Sequence, residues 1–233
     1  MKETSAVEGH FDAEADRYDY WKEKNWYYYD ALKSIAREYT AGAQSVLDAG
    51  CGTGGVTSTL KSARLVGIDI SPRMIAAAKD RHKNTSIEFV ASDIVTYQSQ
   101  ETFDRILFFD VIEHSENPKG TLKRMAELLK KDGLLVVSMA NPLWEPILLV
   151  AEKLGMKMPE GPHDRISAQE MISLAKDVGL HLKKRDFKLI FPKYVPGLSY
   201  LLNEVLGRLP IIRRLSVIEV FVFAPEGASY EQP

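Results

Sequence analysis

Val46–Gly55 reads VLDAGCGTGG, and the fold follows from this decapeptide. An apolar run of strand character ends in a turn crowded with glycine. Glycines at such a turn let the backbone bend sharply and approach a ligand that would clash with any β-carbon. Gly50, Gly52 and Gly55 fit the spacing GxGxxG, while Gly50, Gly52 and Gly54 fit GxGxG. The turn therefore points to an adenosine-type ligand without choosing which one.

Outward from the turn, short apolar runs alternate with helical stretches. Ser45–Ala49, Arg64–Asp69, Ile87–Ala91, Arg105–Phe109 and Leu134–Met139 read as buried strands rich in Val, Ile, Leu or Phe. Helices are predicted over 55–62, 72–83, 117–130 and 167–178. Ser71 and Asn117 serve as caps, Pro72 and Pro118 as first-turn residues, and Gly133 and Gly179 as stops. Alternation at this spacing implies right-handed βαβ units and a parallel sheet. The flanks differ. Phe11–Tyr39 is a helical segment dense in aromatic residues, and Glu145–Leu154 and Leu198–Leu206 read as amphipathic helical insertions.

Two carboxylates narrow the ligand. Asp69 ends the second strand, nineteen residues after Gly50, where an acidic side chain accepts both ribose hydroxyls. Asp48 lies two residues before the first glycine. A fixed anion there repels a pyrophosphate and suits a ligand carrying an ammonium and a sulfonium, which favours S-adenosylmethionine over NAD. Asp93, after the third strand, is placed to accept from the adenine amino group.

VLDAGCGTGG, GIDIS (67–71), SDI (92–94) and FFDVIEH (108–114), in this order and spacing, resemble the successive motifs of class I S-adenosylmethionine-dependent methyltransferases. The resemblance covers about residues 11–225. It implies a Rossmann-like α/β fold with a seven-stranded, mostly parallel sheet, helices on both faces, and helical insertions after strands 5 and 6. The last strand would be antiparallel, with Val217–Phe223 as its candidate. It implies that Asp48, Gly50, Cys51, Gly52 and Gly54 line the methionine part and Asp69 the ribose. Ile70, Met74, Asp93 and Ile94 would surround adenine, and Phe109 and Asp110 would close the pocket near the sulfonium. One methyltransferase domain over 1–233 is expected, with an N-terminal helical lid (1–43), a cofactor core (44–141) and an acceptor-side half (142–233). Tyr18 and Trp21 of the lid would touch the methionine end, excluding water during transfer.

Methyl transfer is an in-line displacement that mainly requires alignment, so sequence names the cofactor better than the acceptor. The best catalytic candidates are His114 and Asp110. Asp110, Glu113 and His114 stand at i, i+3 and i+4, and one helical turn would project all three from one face. Such a set could orient His114 as a base or ligate a divalent metal, although a metal is not expected. A structural role for the same residues is the stronger alternative. Asn141–Pro146, a helix, and a Pro/Gly turn ending in His163 and Asp164 are similar to the ubiquinone-biosynthesis O-methyltransferases. FDAEADRYD (11–19) departs from them by lacking their tryptophan-rich N-terminal pattern. The expected acceptor is a small molecule, apolar or lipid-like, methylated on oxygen to leave S-adenosylhomocysteine. The alternative is a catalytically silent S-adenosylmethionine-binding partner or sensor.

Composition agrees with this reading. At 45% hydrophobic and 27% charged residues the chain is ordinary globular material, which excludes disorder. A net charge of −2 argues against a nucleic-acid partner. Residues 181–214 nevertheless hold eight Lys and Arg against Asp186 and Glu204. With Leu, Ile, Val and Tyr interleaved, 191–214 is a candidate for peripheral membrane contact, or for a lid or subunit contact. A single cysteine, Cys51, permits no internal disulfide and fits a reducing compartment. Met1–His10 has no signal-like apolar stretch, and no window reaches membrane-span length, so a cytoplasmic location is expected.

Overall fold

The computed structural model describes residues 5–159, 161–228 and 230; Met1–Thr4, where the expected lid and the N-terminal reading begin, lie outside them. Three helices lead the chain: α1 (Ala6–Glu14), α2 (Tyr18–Lys24) and α3 (Trp26–Thr40). The core follows as β1 (Ser45–Ala49), β2 (Arg64–Asp69), α4 (Pro72–Arg81), β3 (Glu88–Ala91), β4 (Phe103–Phe109), α5 (Pro118–Leu128) and β5 (Leu129–Ala140). The remainder is α6 (Glu145–Lys153), α7 (Ala168–Asp177), β6 (Leu180–Lys188), the short α8 (Leu198–Tyr200) and β7 (Ile218–Pro225).

Seven strands form one sheet in the order β3-β2-β1-β4-β5-β7-β6. β1 pairs in parallel with β2 and β4, and β5 with β4. β7 is antiparallel to both β5 and β6, as expected of the last strand. The strand order reverses direction at β1, and a crevice opens beyond the carboxyl ends of β1 and β4.

Both sheet faces are buried, so successive strand residues face different cores. Ile106 and Phe108 pack with Leu122 and Met125 of α5 and Met171 and Ala175 of α7. Leu107 and Phe109 pack with Leu32, Ile35 and Tyr39 of α3. Ser71 and Asn117 cap α4 and α5 as expected, accepting from Met74 N and Gly120 N.

Outside the site, the structure departs from the sequence reading in these elements. No helix spans 55–62; only a single 3₁₀ turn forms at Thr57–Thr59 before Leu60 turns extended. Gly54 and Gly55 are poor helix formers, and two hydroxyls compete for local partners. Thr57 donates to Asp48 at 2.6 Å and Thr59 to the Val56 carbonyl at 2.8 Å. Gly133 stops no helix, because α5 ends at Leu128 and Gly133 lies inside β5. The 198–206 insertion is not one helix. α8 runs three residues, then gives way to a π turn at Leu201–Val205 and a 3₁₀ turn at Leu206–Arg208.

Trp144 Nε1 donates to the Leu215 carbonyl at 2.7 Å, and Asn141 Nδ2 reaches the Arg214 and Ser216 carbonyls. The two insertions therefore stand side by side. The N-terminal helices bridge them, through Lys24 Nζ to the Gly155 carbonyl (2.6 Å) and Lys193 Nζ to Asn25 Oδ1 (2.6 Å).

Candidate active site

The turn after β1 takes the backbone through the left-handed region at Gly50 (φ 83°), Gly52 (φ 53°) and Gly54 (φ 77°). The Gly50 and Cys51 amides both donate to the Ile68 carbonyl, at 2.8 and 3.0 Å, which holds the turn against β2. A β-carbon at Gly50 would collide with the Val111 side chain, and one at Gly52 would come within 2.8 Å of the Tyr18 ring. This close approach is what the glycines make possible.

Asp69, at the end of β2, accepts from Gly52 N (2.8 Å) and Ser71 N (2.9 Å), one bond to each oxygen. Those bonds fix its orientation and leave lone pairs for further donors. Burial raises its pKa, and burial pushes Asp48 up to about 6 against the opposing Thr57 hydrogen bond and the Lys22 charge. Both carboxylates are thus short of positive partners, and both face the same cavity.

That cavity measures about 680 Å³. Tyr18, Asp48, Gly50, Cys51, Gly52, Asp69, Ile70, Met74, Asp93, Ile94, Phe109 and Asp110 all contribute to its wall. Gly54 does not: a β-carbon there would collide with the Phe89 and His82 rings, so this glycine serves the turn and not the wall. Asp93 spends one oxygen on the Val95 amide at 2.8 Å. Burial raises the Cys51 thiol, leaving Cys51 a wall residue with no nucleophilic character.

The Asp110–His114 stretch is not the expected single helical turn. Asp110 sits at φ 54°, and only Ile112–His114 form a 3₁₀ turn. The three side chains line one cavity but find separate partners. Asp110 accepts from Tyr28 Oη (2.6 Å) and Ser138 Oγ (2.7 Å). Glu113 Oε1 accepts from Ala140 N at 3.2 Å, while Oε2 is buried with no hydrogen-bond partner among the described residues. Burial, aided by Asp110, pushes Glu113 up to about 8.

His114 Nδ1 lies 2.9 Å from the Pro162 carbonyl. A carbonyl only accepts, so Nδ1 carries the hydrogen and the neutral ring keeps its Nε2 lone pair. Burial lowers the His114 pKa, so the ring is neutral at pH 7. Phe11 and His163 pack edge-on against it at 5.3 and 6.1 Å. His163 and Asp164 also line the cavity, and the Asp164 amide donates to the Glu113 carbonyl at 2.7 Å. Among the described residues no group of three or more His, Cys, Asp or Glu is placed to hold a metal.

The sequence reading missed Lys22, Tyr28 and Lys157, all on the cavity wall. Lys22 and Tyr28 belong to the aromatic N-terminal helices α2 and α3, where the spacing to Asp19 could have drawn notice. Lys157 falls in a loop without any motif.

At the far end the wall turns apolar, with Ile147, Leu148, Met156, Met158 and Phe191 from the two insertions. A glycine cradle, two buried carboxylates and an apolar slot for a flat ring match S-adenosylmethionine in shape and charge.

Comparison with known proteins agrees. The family model described as a methyltransferase domain matches residues 20–184. A ubiquinone biosynthesis O-methyltransferase of Bradyrhizobium diazoefficiens is 36% identical over 131 residues, covering 53% of this chain and 51% of that protein. One from Coxiella burnetii is 30% identical over 162 residues, covering 65% and 69%. The chain thus spans about half the length of the first of these relatives. The crystal structure of the N-methyltransferase NodS from Bradyrhizobium japonicum WM9, in complex with S-adenosyl-L-homocysteine, superposes with a TM-score of 0.68 at 19% identity. It covers 95% of this chain and all of that one, and shows the same fold. With the glycine turn, the paired carboxylates and the strand order in place, the chain belongs to the methyltransferase-domain family, the class I S-adenosylmethionine-dependent methyltransferases.

Proposed function

We propose that the chain methylates an oxygen of a small, apolar acceptor. The observation that carries this reading is the cavity itself: its lining joins the glycine turn and buried carboxylates to apolar side chains of the two insertions, with His114 also on its wall. When bound, S-adenosylmethionine supplies a methyl group on a positively charged sulfur. Asp69 would hold its ribose, Asp48 would favour its cationic tail, and Tyr18 with Trp21 would cover it.

His114 then acts on the acceptor. Its Nε2 lone pair takes the hydroxyl proton as the oxygen forms its new bond to carbon, and the Pro162 carbonyl holds the ring steady. Phe11, Met156 and Phe191 exclude water around the acceptor. The O-methyltransferase names of two relatives add support for oxygen as the acceptor atom.

Alkylated phenols and matching amines, incubated with methyl-labelled S-adenosylmethionine, test this. Label in the phenol ethers, falling about 100-fold or more in kcat for His114→Ala, is the expected result. Label confined to amines would overturn it.

The same reading extends to where the acceptor comes from. Ile147 and Val150 of α6, Leu154 just after it, and Tyr194, Tyr200 and Ile211 of the second insertion are exposed. Arg208 and Arg214 are exposed among them. Such a face suits an anionic membrane surface, from which an apolar acceptor would be drawn. No helix among the described residues is long and apolar enough to cross a membrane.

A further inference from the structure

Lys193 stands half-buried on the cavity wall without an anion beside it. It follows Phe191 and Pro192 in the second insertion, and all three line the cavity. Its Nζ donates to Asn25 Oδ1 at 2.6 Å, a neutral amide whose own Nδ2 is spent on the Trp21 carbonyl. The other two ammonium hydrogens find no acceptor among the described residues. The charge that acts on Lys193 is a second cation, Lys24, whose Nζ holds the Gly155 carbonyl at 2.6 Å. Burial and that like charge lower the Lys193 pKa, and no carboxylate among the described residues opposes them.

The other Lys and Arg side chains on the wall have acids for company. Lys22 is attracted by Asp19 and Asp48, Lys157 by Glu152 and Asp110, and Arg165 bonds Glu145 at 2.9 Å. Two ammonium groups close together repel, and partial burial removes water that would screen them. A ligand anion relieves both costs, whereas an uncharged ligand relieves neither. The surroundings of Lys193 belong to the acceptor end. Phe191 is two residues away, Met156 follows the carbonyl that Lys24 holds, and both line the apolar part of the wall. Asp48 and Asp69, at the cofactor end, are not among the charges that act on Lys193.

We propose that the acceptor carries an anionic group, such as a carboxylate, apart from the hydroxyl that is methylated, and that Lys193 receives it with Lys24 as a supporting cation. The inference rests on the reading of the cavity as an acceptor site. It narrows the acceptor from an apolar molecule to an amphiphilic acid. A charge-assisted bond at a half-buried position changes affinity by about tenfold.

Calorimetry on the protein saturated with S-adenosylhomocysteine tests it. The probes are ω-(4-hydroxyphenyl)alkanoic acids of short and long chain and their primary amides, which differ only in the charge. Wild type, Lys193→Met and Lys193→Arg are compared, and methyl transfer from labelled S-adenosylmethionine to each probe is followed alongside. The expected result is that wild type binds the best acid about tenfold more tightly than its amide. That ratio should fall to about one in Lys193→Met and persist in Lys193→Arg, with S-adenosylhomocysteine affinity the same in all three proteins. Equal binding of acid and amide by wild type, or failure of every acid to bind, would overturn the inference. Equal weakening of both probes in Lys193→Met would reduce the lysine to a bridge between the insertion and Asn25, and would also overturn it. An unchanged ratio in Lys193→Met, with loss of binding to phosphatidylglycerol vesicles, would assign the lysine to lipid phosphate instead. An acid preference that needs Lys193, without label reaching any phenol, would uphold the anion site and overturn only the O-methylation reading.

Discussion

The Tyr28 hydroxyl donates to Asp110 Oδ2 over 2.6 Å, joining α3 to the residue that follows β4. Ser138 Oγ donates to the other oxygen of the same carboxylate, so Asp110 is held from α3 and from β5 together. Burial raises the Asp110 pKa, and these two hydrogen bonds oppose the rise. Tyr28→Phe removes one of them and strands a carboxylate oxygen. The expected cost is about 1–3 kcal/mol of stability in urea unfolding, with the midpoint lowered and the slope unchanged. A variant as stable as wild type would show that Asp110 finds water instead.

Glu113 gives the protein a pH signature. Its carboxyl is pushed up to about 8 in the folded chain from an ordinary value of 4.5. The folded state therefore holds a proton that the unfolded state has lost, and stability falls as pH rises from about 4.5 towards 8. Asp48, at about 6, adds the same sign over a narrower range. Glu113→Gln keeps an acceptor for Ala140 N and removes the titration. Unfolding curves at several pH values should show wild type losing about 1 kcal/mol or more across that range relative to the variant. Parallel pH profiles for the two proteins would contradict the buried-acid account.

Gly52 is the least replaceable residue of the turn. Alanine there must adopt φ near 53° and place a methyl group against the Tyr18 ring. The backbone alone costs about 1–2 kcal/mol, and the displaced ring opens the cofactor end. Gly52→Ala should therefore lose stability by that amount and bind S-adenosylhomocysteine at least about tenfold more weakly. Gly42 (φ 75°) has nothing within 4 Å of an added β-carbon, so Gly42→Ala should show the backbone cost without the loss of binding.

Residues whose conformation is dictated by neighbours in sequence were readable in advance. β1 and β2 have the bounds their apolar runs suggest, because each is a central strand buried on both faces. Ser71 and Asn117 cap helices because the caps are local hydrogen bonds. β6 was not readable in the same way. LHLKKRDFK looks polar because it is an edge strand, and edge strands keep charges outward. Its acidic residue, Asp186, pairs with Arg213 from the second insertion and with Lys188 two residues along the strand. Part of the charged cavity wall was legible for the same reason as β1, since Asp69, Phe109 and Asp110 lie at or just past strand ends. Lys22 and Tyr28 were not, because helices packed from outside the sheet bring them to the cavity. The Asp110–Glu113–His114 spacing misled because helical geometry was assumed where Asp110 turns left-handed.

The basic insertion predicts a salt-sensitive association. Arg213 is occupied by Asp186, so the surface charges to change are Arg208 and Arg214. Co-sedimentation with phosphatidylglycerol vesicles at low salt should be clear for wild type and weak for Arg208→Glu/Arg214→Glu, and should fade at high salt. Binding to neutral vesicles of equal strength would point to the apolar face alone. Absence of binding to either would sink the membrane proposal.

The most direct measurement is a calorimetric titration of the purified protein with S-adenosylmethionine, S-adenosylhomocysteine and NADH, repeated on Asp69→Ala. The account predicts saturable binding of the two adenosyl ligands and none of NADH. Loss of the carboxylate that Gly52 and Ser71 position should weaken both adenosyl ligands by about tenfold or more. Binding of NADH in their place, or adenosyl affinity indifferent to Asp69, would contradict it.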